Sequence, residues 1–531
     1  MSNKNLFLVI NASQGYIRNV ETPENFAAEN DILFTAIEQT YVPLLNMIAR
    51  LASENIKFTL GLVLSATLCS LLDDPQVQKQ YIDWLDKRIA LGEDEIKRNK
   101  NNQEKQNLAY EILEQAKKDK VDFTEVYNQK LIPTFKMFAE RGYLELIPTC
   151  ATNAYLPHYI DLIEIVNAQV ETGLYSHRQY FGEIGEGFWL PYQGYAKGLE
   201  RILRAYGINY TITDPRSILF VENPVETGIF SPVRCPNSLV LFASDPETPK
   251  DICGENGFMF NALYRQEQRD IGFELPQEEL SSIQEKGSAR SQTLYRYWSN
   301  ESSDGENEVL YSSENALSQV LSDAATFYCN KLAKLDEALV NTEGKDVTLV
   351  CTIPAEALGQ TWHEGMLWLE NVIRLVDTEK NLTLQTGKNL IQEQFSLPKV
   401  TPYPCSASGN GYGEDLLDST NSWMIRYLRT ASERMVDLTE RFPSETGLKA
   451  RLLNMGAREL LIAQSGEWPL MLHEGKLPDY VTKTFTNAIL NFTRVFDALA
   501  SNTVSTEWLT TLEREHSIFP WMNYKIFSIK R

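Results

Sequence analysis

Histidine is scarce in this chain: 531 residues contain only His158, His177, His363, His473 and His516. A metal or proton-transfer site built on N-terminal histidines is thereby excluded, because nothing before His158 can supply one. Positive charge is short as well, with 50 Lys and Arg against 71 Asp and Glu and a formal charge of −21. Duplex binding needs clustered basic groups that displace counterions, so nucleic acid is excluded as a partner. Long apolar runs are missing. The N-terminal one, Leu6–Ile10, is too short for a signal peptide, and longer runs are broken by Gly, Ser, Thr or a charge. None reaches the about 20 residues of a membrane span, which predicts a cytoplasmic protein with no membrane partner. The seven cysteines (Cys69, Cys150, Cys235, Cys253, Cys329, Cys351, Cys405) are odd in number and widely spaced, without a Cys-x-x-Cys pair. That pattern predicts reduced, buried thiols and neither a disulfide framework nor a zinc site. What is plentiful is core material, 43% hydrophobic residues, which rules out a disordered chain. At roughly 150 residues per domain, the length suits two to four domains or one large barrel with attachments.

Seven short runs rich in β-branched or aromatic residues read as buried strands: Leu6–Ala12, Lys57–Ser65, Leu144–Thr152, Gly187–Pro191, Tyr210–Asp214, Leu239–Ser244 and Val347–Thr352. Helical periodicity lies between most of them, as in Asp31–Ala52 and in Tyr195–Tyr206, which Gly207 closes. Strands alternating with helices predict a parallel sheet with crossovers, and seven of them predict a barrel. A polar helical segment, Asp74–Tyr143, interrupts the alternation and reads as a solvated insertion. Residues 299–307 (SNESSDGEN) read as an exposed loop tip. Beyond about residue 395 the strand signal ends. Thr420–Phe442 carries Trp423, Tyr427, Ala431, Met435 and Leu438 as one stripe, with Ser419 or Thr420 as N-cap. Leu448–Gln464 is a second amphipathic helix, and Val481, Phe485, Ile489, Phe492, Phe496 and Leu499 mark a third. The predicted organisation is an α/β barrel over 1–395 with an insertion at 74–143, then an all-helical domain over 396–531.

In parallel barrels the working groups project from the C-terminal strand ends. Here those ends offer Asn11, Ser13 and Gln14; Thr152 and Asn153; Trp189 and Tyr192; Asp214; Ser244 and Asp245; and Thr352, Pro354 and Glu356 followed by GQTWHEG (359–365). The set is polar and aromatic, which suits a carbohydrate. It is poor in catalytic groups: Asp214, Asp245 and Glu356 come from separate strands, which predicts no metal and no cofactor. No Gly-rich phosphate loop follows a strand, since GNGYG (409–413) lies where the helical domain begins and reads as a linker.

GFWLPYQGY (187–195) followed by GLERILRAYGINYTITD resembles the nucleophile region of glycoside hydrolase family 57. LELIPTCATNAYLP (144–157), YRQEQRDIGFE (264–274), EALGQTWHEGMLWLENVIRL (356–375), ARELLIAQSGEW (457–468) and IFPWMNYKIF (518–527) resemble further blocks of that family's α-1,4-glucan branching-enzyme branch, in order. The resemblance implies a (β/α)7 barrel, an incomplete relative of the eight-stranded one, with a helical insertion and a C-terminal helical domain. It also implies α-glucan or maltooligosaccharide ligands.

The departures are specific. Where the family reads Trp-Leu-Pro-Glu, with the glutamate as nucleophile, this chain has Tyr192. Counting back from Gly365 puts Pro354 at the family's general acid/base aspartate and Gln360 at a family histidine. The strand-one His-Ala-His signature maps onto Asn11, Ala12 and Ser13, and the strand-three histidine onto Asn153. Retaining glycoside cleavage normally needs two carboxyls about 5 Å apart. Proline has no ionisable group, and a tyrosine with a pKa of about 10 is a poor nucleophile unless activated. The reading is a catalytically silent relative that keeps the fold, with α-glucan binding or a regulatory role. Two alternatives stay open: an enzyme with chemistry relocated to Glu356, Glu186 or Tyr192, and an interaction protein without sugar binding. Trp189, Asp214, Trp362, His363, Gln464 and Trp468 are the candidate binding residues, with core packing the competing role for Trp189 and Trp368. Cys253, and Ala407 or Ser408, stand where the family carries tryptophans.

Overall fold

The computed structural model describes residues 3–19, 28–281, 283, 289–302, 308–342, 345–392 and 396–530. Seven parallel strands form its centre: β1 Lys4–Ala12, β2 Leu60–Leu64, β3 Leu144–Ile147, β4 Gly187–Trp189, β5 Tyr210–Thr213, β6 Val240–Ala243 and β7 Val347–Pro354. They pair as two sheets, in the orders β3-β2-β1-β7 and β4-β5-β6. Single parallel bridges, Thr149 to Trp189 and Ser244 to Val350, join β3 to β4 and β6 to β7 and close the barrel. Each strand matches one of the runs read from sequence; β1 and β7 extend beyond theirs by two residues each, and the other five are shorter. Two short pairings were not legible there: Val233–Arg234 runs antiparallel to β6, and Thr383–Leu384 lies beside β1.

Alternation along the strands fixes what faces inward. Phe7 and Val9 of β1, Val63, Ile147, Trp189, Tyr210 and Ile212, Val240 and Phe242, and Val350 pack together as a separate apolar cluster inside the barrel. Continuing the same alternation brings Asn11 on β1, and Thr352 and Pro354 on β7, to the barrel's C-terminal mouth. The larger core lies outside, between the strands and their helices. Its N-terminal helix, Asp31–Ser53, is apolar and long enough to cross a membrane, which corrects the sequence reading that no stretch comes close. Yet 72% of its most apolar window is buried within the molecule. Its apolar side chains answer to the barrel.

The insertion is built from helices Pro75–Arg98, Gln103–Val121 and Leu131–Glu140. The polar middle of this segment is the turn at 99–102, where the Asn102 side chain accepts from the Lys105 amide at 3.1 Å. Residues 303–307 of the expected loop tip lie outside the described residues. In the C-terminal region the helices are Trp423–Arg441, Gly447–Ala463, Glu467–His473, Pro478–Ser501 and Thr506–Glu515. The first begins later than the expected Ser419 or Thr420, with Ser422 at the N-cap position. Its buried stripe is Met424, Leu428, Ala431, Met435 and Leu438. Trp423 and Tyr427, placed on that stripe by sequence, are exposed. The two stripes share their last three members, and helix rotation at the start selects the aliphatic pair for burial.

Candidate functional site

A cavity of about 310 Å³ opens at the C-terminal mouth of the barrel. Asn11 and Ser13 after β1, Asn153 after β3, Trp189, Tyr192 and Gln193 at the end of β4, and Thr352, Pro354 and Glu356 from β7 line it. The helical region supplies the remaining wall through Glu467, Leu470, Met471, Glu474 and Lys476. Asn11, Ser13, Asn153, Tyr192 and Pro354, where the sequence departs from the family's motifs, therefore meet here, and Gln360 does not. That amide instead donates to the Ile32 carbonyl at 3.2 Å and the Thr35 hydroxyl at 3.3 Å.

At the base of the cavity sits a carboxyl that sequence reasoning missed. Both Glu467 oxygens accept from the Asn153 amide at 3.1 Å, and the Tyr192 hydroxyl donates to Oε2 at 3.5 Å. Burial pushes the Glu467 pKa up to about 7; the Asn153 and Ser13 donors oppose this, and the nearby Glu356 adds to it. Burial likewise raises the Tyr192 phenol well above its ordinary value, and the Glu467 and Glu356 carboxylates reinforce the shift. The cavity walls raise the Glu356 carboxyl, with Lys476 opposing and Glu474 adding. Since Glu356 itself is exposed, water screens much of that effect. The resulting chemistry is a neutral phenol, a carboxyl poised near neutrality, and amide and hydroxyl groups from Asn11, Ser13, Asn153 and Gln193. That set can give and receive hydrogen bonds with the hydroxyls of a sugar. Among the described residues, no three His, Cys, Asp or Glu side chains converge as a metal site would require.

The backbone around this carboxyl is strained. Asn153, Tyr192 and Gln193 all adopt positive φ, at 49°, 55° and 50°. For residues with a Cβ this conformation costs about 1–2 kcal/mol each. The surroundings enforce it: the Tyr192 carbonyl accepts from the Ala407 amide at 2.8 Å and the Ser406 hydroxyl at 3.0 Å. Gln193 is tied on both sides, accepting from Ser244 at 2.8 Å and donating to Thr352 at 3.4 Å.

The other candidate residues lie elsewhere, with Trp189 as the exception: it lines the cavity and also packs in the barrel interior. Asp214 is 7% exposed and paired with Arg216 at 3.0 Å, outside the cavity. Trp362 is buried against Tyr264 and Trp368, so its ring is unavailable for stacking. His363 lines a second cavity, with Arg265 and Tyr311, beneath the insertion. Gln464 is locked between Gln169 at 2.9 Å and Ser432 at 3.1 Å. Trp468 is fully buried and donates to the Ile462 carbonyl at 2.7 Å. Glu186 precedes β4 and so sits at the barrel's opposite end, accepting from Asn209 at 3.1 Å. Asp245 is enclosed by Lys331 and Lys334, each at 2.7 Å. Burial alone would raise it; the two ammonium groups prevail and hold it at about 2. Cys253 and Cys329 are exposed, which corrects the expectation that all seven thiols are buried.

Comparison with known proteins places this cavity in context. The profile of glycosyl hydrolase family 57 matches residues 7–282, and that of the 1,4-alpha-glucan branching enzyme C-terminal region matches residues 427–527. The chain is 23% identical over 503 residues to the 1,4-alpha-glucan branching enzyme TK1436 of Thermococcus kodakarensis, covering 89% of this chain and 70% of that protein. Among solved structures, the alpha-amylase AmyC of Thermotoga maritima superposes with a TM-score of 0.92 at 27% identity, covering all of both chains. A branching enzyme of this type from Pyrococcus horikoshii superposes with a TM-score of 0.87 at 21% identity, covering all of this chain and 98% of that one.

Proposed function

The chain belongs to glycosyl hydrolase family 57, and from that premise we propose that it binds α-glucan chains in the barrel-mouth cavity without cleaving them. The observation that carries this reading is Tyr192. Standing at the position of the family nucleophile, its phenol donates to Glu467 in surroundings that keep it protonated. Pro354, at the acid/base position, can neither give nor take a proton. Two-carboxylate double displacement therefore lacks both of its groups at the places where the family holds them. The polar lining of Asn11, Ser13 and Asn153 with the apolar Trp189 and Ile17 suits the alternating hydroxyl and C–H faces of a glucosyl unit. A cytoplasmic setting fits the seven unpaired thiols. In that setting the protein acts as a glucan-associated, regulatory relative of active enzymes.

The test combines calorimetric titration with maltotriose and assays of hydrolysis, branching and disproportionation on amylose. The expected result is binding without turnover. One contact favours a second reading, the hydrogen bond between Tyr192 and Glu467. In it the Tyr192 oxygen attacks the anomeric carbon, Glu467 takes the phenolic proton, and Glu356 protonates the departing glycosidic oxygen. Water then releases the glycosyl group by the reverse transfers. Turnover on amylose that disappears in both Tyr192→Phe and Glu467→Gln would establish this second reading and overturn the first.

A further inference from the structure

The loop that follows the barrel, residues 403–413, has two faces. Its inner face is fastened to the cavity wall: Ala407 lines the cavity, and Cys405 pairs with Tyr195 through backbone bonds of 2.8 and 3.1 Å. The Tyr403 amide donates to the Ser217 carbonyl at 3.0 Å, which anchors the loop's start to the segment after β5. Its outer face carries two tyrosines. Tyr403 and Tyr412 are 37% and 54% exposed, with hydroxyls 3.4 Å apart. Phe220, from the segment after β5, is 56% exposed and meets the Tyr403 ring edge-on with centroids 5.8 Å apart. Three aromatic rings thus form one exposed ledge. Tyr155 connects it to the site, since its hydroxyl donates to the Tyr412 carbonyl at 3.2 Å and its ring lies edge-on to Tyr192 at 6.3 Å.

We propose that Phe220, Tyr403 and Tyr412 form an outer binding platform for α-1,4-glucan chains, continuous with the barrel-mouth cavity. This rests on the reading of that cavity as a glucan site. Exposed aromatic faces that desolvate readily and carry hydroxyls at their edges match the C–H faces and hydroxyls of glucosyl rings. The patch is too small for a stable protein partner. Three half-exposed rings offer on the order of 300 Å², against about 800 Å² per side in a standard interface. Two or three sugar rings would cover it. The platform extends the ligand class from short oligosaccharides to chains long enough to lie in the cavity and on the loop together. Its contribution should therefore depend on chain length.

The experiment is calorimetric titration of the full chain with maltotriose and with maltoheptaose, for the unmodified protein and for Phe220→Ala/Tyr403→Ala/Tyr412→Ala. Thermal melting verifies that the variant folds, and Tyr412→Trp supplies a conservative control. The expected result is a maltoheptaose Kd at least tenfold weaker in the triple variant, with the maltotriose Kd changed less than twofold and Tyr412→Trp binding maltoheptaose as the unmodified protein does. Maltoheptaose affinity that is insensitive to the triple variant, with maltotriose still bound, would overturn the platform and leave the cavity reading intact. Maltoheptaose binding that falls in the triple variant, with no maltotriose binding by any form, would overturn the cavity reading alone. No binding of either sugar to the unmodified protein overturns both.

Discussion

Glu467 is charged at a cost to the fold. With its pKa raised from 4.5 to about 7, the folded state holds a proton that the unfolded chain has already released. Stability is thus lost as pH rises from about 4.5 to 7, and the penalty is complete above that. Glu467→Gln removes it, and the variant is expected to be more stable than the parent by about 1–3 kcal/mol at pH 8, with the gap closing by pH 5. Denaturant midpoints at the two pH values check this. A second residue, Gly466, allows the Tyr192 ring and the Asn153 backbone to approach. A Cβ there would lie 2.4 Å from the Asn153 carbonyl oxygen and 2.7 Å from the Tyr192 ring. Gly466→Ala is expected to lower stability by about 1–3 kcal/mol and to weaken maltotriose binding, both readable in one titration and one melt. Neither residue was legible as part of the site. Glu467 starts a helix 275 positions beyond Tyr192, and no local pattern marks it; the one available signal was a carboxylate beside Trp468 in the block that resembles the family. Sequence proximity to such blocks also misdirected. Trp362 and Trp468 sit within them yet pack in the core, because rings of that size bury more favourably than they line a wet cleft.

At the level of elements, the strands were readable because each is a short, continuous apolar run between helical stretches, the pattern of a strand buried on both faces. Their direction was readable too. Glu186 precedes β4, and in a parallel barrel that position belongs to the N-terminal end, away from the chemistry. Asp245 follows β6 at the correct end, but its partners come from the long helix Ser313–Asn341, 86 residues away. No spacing rule could have paired them. Asp245 is 0% and Lys331 1% exposed, with Lys331 also bound to Asp251 at 2.6 Å. Removing Lys331 leaves the buried Asp245 with the partly exposed Lys334 as its remaining ammonium partner, so its charge is less well compensated. Lys331→Met is therefore expected to destabilise the protein by about 3 kcal/mol, measured by chemical denaturation, while sugar binding in the surviving folded protein is retained.

Across the whole molecule, several buried groups respond to pH in one direction, and above about 6.5 they act unopposed by the buried histidines. Burial, with Asp270 nearby, lifts Asp31 to about 8. Burial alone would lower His516, and the adjacent Glu459 carboxylate reverses that. Like Glu467, both lose protons in the folded state as the solution becomes basic, and stability falls with them. His158 and His177 act below that point. Burial lowers them to about 4 and about 3, so unfolding is favoured as the unfolded chain protonates near 6.5. Stability is expected to decline from about pH 7 to pH 8, where the two histidines no longer oppose the loss, as denaturant midpoints measured across that range will show.

The two single-bridge closures give the barrel a mechanical character. A cask whose staves are glued along five joints and pinned at two will open at the pins. One curved plate carries Asn11 and Pro354, and the other leads into Trp189 and Tyr192, so both plates line the cavity. The Trp189 amide, donating to Pro148 at 2.8 Å, and the Asp245 amide, donating to Val350 at 2.7 Å, are the pins. Above the second of them, the Gln193 side chain reaches from Ser244 to Thr352 as a tie rod across the joint. Whatever occupies the cavity rests between two separately framed strand walls and the helical wall of Glu467, Leu470 and Met471.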